Sequence, residues 1–442
     1  MKYNLYIMKT STWTQLAFCL LSSVFYACNS SHVYYLDATS GSDQNNGTSP
    51  RSAWQSIEAL KQISLQPGDK ILFKKGETFS GILEVTGKGT YTHPIIIDAY
   101  GEGNQKPCIA GNDTSMYAVR IFNSDYFTIQ NLEISNTGKE RKAGRTGLKV
   151  ECTDYGISHN IRINNLTIRD VNGSLVKEEG GGSGILIVNG GDSIRSRFDS
   201  LTIENCHILK CERNAMIWSG YYDRKNWYPN KHTIVRNNLI EKVPGDGIVP
   251  IGCDSTPIEY NLMGDSPDIL PMTEAAAGIW PWSCDNTIIQ YNEVWGHKAP
   301  WDAQGFDSDY NCQNTLIQYN YSHDNYGGMV LICNSGNAGD YSCGNIGSIV
   351  RYNISIGDGI RPKETRQGIH IAGPVKQTLV ERNIIHANLK PSDIIDRTMI
   401  TSDSWDGYAD NTCFRQNIYY AAEPSRFDFT SSTRNAFEEN IY

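Results

Sequence analysis

One short pattern recurs nine times in this chain of 442 residues and constrains its fold more than any other feature. It reads FTIQNLEIS from Phe127, IRINNLTIR from Ile161, LTIENCHIL from Leu201 and TIVRNNLIE from Thr233. It continues as TIIQYNEVW from Thr287, TLIQYNYSH from Thr315, SIVRYNISI from Ser348 and TLVERNIIH from Thr378, with TCFRQNIYY from Thr412 a weaker last copy. Each copy is a β-branched strand with alternating apolar residues, then an Asn, then a second strand-like stub. The Asn column is Asn131, Asn165, Asn205, Asn238, Asn292, Asn320, Asn353, Asn383 and Asn417. Asn tolerates the left-handed backbone of a sharp bend, and stacked amides can bond from coil to coil. Between these copies lies another strand opening on Gly or Ala: GILIV from Gly184, AMIWS from Ala215, GIVPI from Gly247 and GIWPW from Gly278, then GFDSD from Gly305, GMVLI from Gly328 and GIHIA from Gly368. Two or three short strands per turn, an irregular repeat length and no helical periodicity describe a parallel β-helix. Its coils stack at about 4.8 Å. A propeller would keep a fixed period and four strands per unit, so it is excluded.

Composition narrows the class of function. Hydrophobic residues make up 39% and charged residues 20%, which excludes wholesale disorder. A net charge of −9 makes nucleic acid an unsuitable partner. Lys9, the apolar run Leu16 to Tyr26, Ala27 and Cys28 have the layout of a secretory signal. Phe25-Tyr26-Ala27-Cys28 resembles a bacterial lipobox, which makes Cys28 the expected lipidation site and residues 29–32 a tether. The expected location is therefore across the inner membrane, as an outer-membrane lipoprotein facing periplasm or cell surface, touching membrane through that lipid anchor alone. Twelve cysteines show no spacing typical of zinc ligands, and no metal site is expected. Cys253, Cys284, Cys312 and Cys333 read as stacked buried thiols, and Cys333 with Cys343 is the one local pair to test for a disulfide.

The opening YYLDATSGSDQNNGTSPRSAWQSIEAL, then PGDKILFKKGETFSGILEV and HPIIIDAYGEG, together with the repeats, is similar to the right-handed parallel β-helix (pectin-lyase-like) superfamily of secreted bacterial carbohydrate-active proteins. The resemblance covers roughly residues 33–442. It implies one all-β solenoid domain, with residues 33–125 as capping segment and first coils and a short helix over Trp54 to Lys61. It says little about the reaction, because this fold serves lyases, hydrolases, esterases and tail spikes.

Strand alternation locates a site. In the Gly strands the residues one and three after the Gly are mostly apolar and face inward; in GMVLI these are Met329 and Leu331. The residues two and four after it face outward: Trp280 with Trp282, Asp307 with Asp309, Val330 with Ile332, then His370. Two carboxylates supply acid and base, and two indoles stack on pyranose faces. An Asp pair on an exposed strand is often only a solvated edge, and a Trp is often only packing. Together on neighbouring coils they favour a site. Asp302 enters the Asp strand and joins the catalytic candidates; His297, Lys298, Arg361 and His370 are candidate substrate-binding residues, and Arg361, Lys363 and Arg366 form a basic patch suited to a uronate or sulfate.

The reading is a polysaccharide-degrading glycoside hydrolase with paired aspartates and no cofactor. Residues two apart on a strand lie about 6.6 Å apart, close to the separation that admits a water in inverting hydrolysis. The alternative is a uronate-specific lyase, with Asp307 and Asp309 holding Ca²⁺ and Lys298 or Arg361 as base. No Lys or Arg occupies the outward positions of the seven Gly strands, which weighs against it. A non-catalytic glycan-binding β-helix is the third reading.

Overall fold

The computed structural model describes residues 31–336, 343–362, 368–387, 398–429 and 432–442. Cys28, the signal segment, Lys363 and Arg366 lie outside the described residues. Among the described residues the chain winds into a parallel β-helix with three faces, built from a 16-stranded sheet, a 12-stranded sheet and a third face of six plus five strands. The start is closed by the strand Val33–Leu36, which pairs with Lys70–Lys74, and by a 3₁₀ turn at Ile57–Gln62 that buries Ile57, Ala59 and Leu60. The short helix expected over Trp54 to Lys61 is this turn.

Each strand copy places the same residue over its neighbour, so the core is a set of ladders. The run Ile129, Ile163, Ile203, Val235, Ile258, Ile289, Ile317, Val350, Val380 and Phe414 follows the pairing register, and none is more than 1% exposed. β-Branched side chains suit this stacked, pleated interior.

The Asn column divides into two neighbouring columns. Asn131, Asn165 and Asn205 take the left-handed bend, with φ of 59°, 50° and 57°. From the fourth copy the bend passes to the preceding residue, Asn237 and then Tyr260, Tyr291, Tyr319 and Tyr352. These tyrosine rings stack 5.0, 5.3 and 5.1 Å apart. The following Asn points inward as a buried ladder. Asn238 donates its amide to Asn261 at 2.9 Å, and the chain Asn261, Asn292, Asn320, Asn353, Asn383, Asn417 and Asn440 continues at 3.0 Å per step. Asn261 and Asn440 belong to copies the pattern search missed. One residue type therefore performs two jobs at two positions.

All ten described cysteines are free thiols. Cys253 and Cys284 stack as expected, the Cys253 N–H lying 3.3 Å from the Cys284 sulfur. Cys333 and Cys343 do not form the disulfide considered for them: Cys343 meets the Asn311 carbonyl, while Cys333 faces outward onto Asp309.

The third face breaks where the cleft lies. The six-stranded part ends at Ile248–Val249 and the five-stranded part begins at Phe306–Ser308; between them isolated bridges, Ile248 to Ile279, Ile251 to Trp282 and Ile279 to Phe306, carry the register. Pro250 and Pro281 lack the N–H a regular ladder needs. Their carbonyls still accept from Trp282 and Asp309 at 3.0 and 3.3 Å.

Candidate active site

The register across that break puts Trp280 beside Asp307 and Trp282 beside Asp309 on adjacent coils. The next coil departs from the expected alternation. Asp307 pairs with Leu331, not Val330, and His370 follows Leu331. Val330 and Ile332 therefore point into the core, while Leu331 and Cys333 face out with Asp307 and Asp309. Gly327 N–H bonds the Ala303 carbonyl of the coil before and Phe306 pairs with Val330, so Met329, not Gly328, stands opposite Gly305.

Trp280, Trp282, Asp302, Asp307 and Asp309 line one cavity of about 280 Å³, with Asp246, Lys177, Tyr310, Leu331, Cys333, Trp405 and the Ala275–Ala277 backbone. Asp302 arrives on the short strand Trp301–Asp302, which pairs with Ala275–Ala276. Asp302 and Ala303 both hold left-handed φ, 60° and 63°, a conformation costly for residues with a Cβ and often kept at functional sites. Arg361 secures that bend by donating to the Asp302 carbonyl at 2.8 Å, and its guanidinium also reaches the Ala299 carbonyl. Arg361 thus shapes the turn through its backbone instead of standing in the cleft as a substrate ligand.

The carboxyl groups differ in environment. Burial and then the charge of Asp309 raise Asp302 to about 6. Asp307 is 4% exposed and its Oδ1 has no hydrogen-bond partner among the described residues. Burial, then the charges of Asp302 and Asp309, push it well above the usual carboxylate range. Burial also raises Asp309, opposed by the Cys333 thiol and the Tyr310 N–H, which donate to its Oδ1 at 3.1 and 2.6 Å. Asp246 is the counterexample. Burial pushes it up, but Arg213 and Lys177 outweigh that and hold it below the ordinary range. It accepts from the Trp280 indole and the Ala277 N–H, both at 3.0 Å, so it is a structural anion that orients the cleft floor.

The indoles are less free than strand alternation suggests. Lys177 lies 5.4 Å over the Trp280 ring, and Tyr222 stacks on Trp282 at 5.1 Å. His370 sits beyond Leu331, held by Asp403 at 3.0 Å and edge-on to Trp405. His297 does not reach the cleft: it is fully buried, its Nε2–H donates to the Gly245 carbonyl at 2.9 Å, and burial lowers its pKa so that it stays neutral. Its role is to brace the turn carrying Asp246. Lys298 is not among the cleft-lining residues.

Lys177 was not visible to column counting because it comes from a loop. Its N–H is held by Glu274 at 2.9 Å, and Glu274 in turn pairs with buried Arg213 at 3.1 Å. A cation does occupy the outward column as well. TGLKVEC is a further Gly strand, and its Lys149 pairs in register with Leu186.

The sequence profile described as "Right handed beta helix region" matches residues 183–385. The fold is that of right-handed β-helix proteins. The lacto-N-biosidase of Bifidobacterium longum subsp. longum is 28% identical over 436 positions, covering 77% of this chain but 26% of that protein. The chain thus spans about a quarter of that relative's length. The alpha-1,3-galactosidase A of Akkermansia muciniphila is 32% identical over 66 positions, 15% of this chain and 11% of that one. In three dimensions the chain is similar to the crystal structure of the GH136 lacto-N-biosidase from Eubacterium ramulus, with a TM-score of 0.71 at 23% identity, over 97% of this chain and 69% of that one.

Proposed function

We propose that the chain is a glycoside hydrolase acting on an oligosaccharide or polysaccharide, with Asp302 as general acid and Asp309 as general base. The observation that carries this is the convergence of three carboxyl groups on one aromatic-walled cavity. Similarity to a lacto-N-biosidase supports it.

A general acid works best with a pKa near the working pH. Asp302, at about 6, meets that condition and can give its proton to the leaving oxygen. Asp309 accepts two hydrogen bonds that favour its ionised form, so it suits activation of a water. Asp307 is more deeply buried, and burial with the charges of Asp302 and Asp309 makes its ionisation unfavourable. Trp282, backed by Tyr222, supplies an aromatic wall for a ring.

The test is hydrolysis scored by released reducing ends across a glycan panel. Asp302→Asn and Asp309→Asn should each lower kcat/KM by about 10²–10⁴. In the parent chain kcat/KM should fall as pH rises through about 6, where Asp302 loses its proton. Near-full activity in either variant overturns the assignment. Lys177 in the cleft gives the lyase a base that the strand columns lacked. Ultraviolet-absorbing unsaturated products, lost on chelation and in Lys177→Ala, would establish that reading instead.

A further inference from the structure

Beside the acidic cleft lies a second hollow of about 380 Å³, and Lys177 belongs to the lining of both. The two differ in sign. The cleft gathers four aspartates, whereas the acid and base side chains lining the second hollow are Lys149 and Lys177 alone. Its floor is aliphatic, with Leu186 and Ile217 in the outward column that continues through Val249 towards Trp280 and Asp307. Ile217 stands three coils from Asp307, about 14 Å. Trp218 also lines the hollow; it is 1% exposed and its indole N–H has no partner among the described residues.

We propose that this hollow seats an anionic sugar unit, bearing a carboxylate or a sulfate, of the glycan whose neighbouring bond is cut in the cleft. The inference rests on the hydrolase reading and names its substrate class. An apolar floor receives the C–H face of a pyranose, and Lys149, with Lys177 on the boundary shared with the cleft, supplies the positive charge for its anion. Lys149 now contacts Glu151 at 2.8 Å, but Glu151 also holds Arg120 at 2.8 Å. Lys149 can therefore turn to a ligand without leaving Glu151 unpaired. The anion that sequence reading assigned to the Arg361 patch moves to the other side of the cleft, because Arg361 is occupied with backbone carbonyls.

The experiment measures binding with turnover suppressed. In the Asp309→Asn chain, titration calorimetry compares N-acetyllactosamine, its 6-sulfated form and its counterpart oxidised to the uronic acid at the same carbon. At least one charged form should bind about ten-fold more tightly than the neutral one, and the sulfate and carboxylate arms identify which anion. Lys149→Gln and Lys177→Gln should each shrink that ratio, and added salt should shrink it in the parent chain. Equal affinities, no binding of any probe, or a preference untouched by both lysine changes overturns the proposal. Reducing-end assays on the unsubstituted chain report separately on the hydrolase reading, so failure of one is distinguishable from failure of the other.

Discussion

The Asn-ladder corner and the third-face cleft are built on the same coils and obey opposite rules. At the corner each ladder oxygen from Asn261 to Asn440 accepts twice. Asn320 Oδ1, for instance, takes both the N–H and the amide of Asn292 at 3.0 Å, while its own amide reaches the Ile289 carbonyl and Asn353. In the cleft Asp307 Oδ1 has no hydrogen-bond partner among the described residues, and the charges of Asp302 and Asp309 raise its pKa. The corner is satisfied and repeats; the cleft is unsatisfied and occurs once. The repeating ladder and the proposed chemistry sit at different edges of one solenoid.

Breaking the corner should have the largest effect. Asn320→Ala removes the amide that joins three coils and strands partners on Asn292, Asn353 and Ile289 in the core. A loss of about 4 kcal/mol is expected in denaturant unfolding; a loss below about 1 kcal/mol would show that the ladder is ornamental. The cleft should respond in the opposite direction. Because the folded chain holds the Asp302 proton more tightly than the unfolded chain, its contribution is present below the ordinary value of 3.8 and is lost as pH rises through about 6. Asp302→Asn should therefore stabilise the protein by roughly 2 kcal/mol at pH 7 and leave it nearly unchanged at pH 4, while removing activity. Equal melting temperatures at both pH values would contradict the shift. The smallest effect is expected in a column that resembles the corner but lacks its bonds. Thr315 is 1% exposed and its hydroxyl has no partner among the described residues, so Thr315→Val should be neutral or stabilise by about 0.5 kcal/mol in the same assay.

The solenoid was legible because a stacked fold writes its register into the sequence. Every ladder residue must match the one a coil away, and alternation marks the inner face. The limit of that legibility is one residue. Met329 standing opposite Gly305 turns Leu331 outward and Val330 inward, and the change from Asn131 to Tyr260 at the bend moves the Asn column by one. Neither displaces the hydrophobic pattern enough to be visible in it. Asp302, Asp307 and Asp309 were readable because they lie on or beside a strand copy. Lys177 and Trp405 were not, because loops carry no period and reach the cleft by crossing coils. His297 misled for a related reason: a corner histidine looks the same in sequence whether it faces solvent or seals a buried turn.

The loop that delivers Lys177 has a consequence for assembly. Most contacts in this fold join one coil to the next, so coils can add in any order without long searches. The cleft cannot, since it draws on Lys177, ahead of the strand Gly182–Gly190, and on Trp405, beyond the strand Thr398–Asp403, with the Glu274 and Arg213 pair fastening the Lys177 loop. A refolding chain should therefore regain its β-sheet signal before its activity. Catalysis would then report that the final coils have docked, at a stage when spectroscopy already sees a finished molecule.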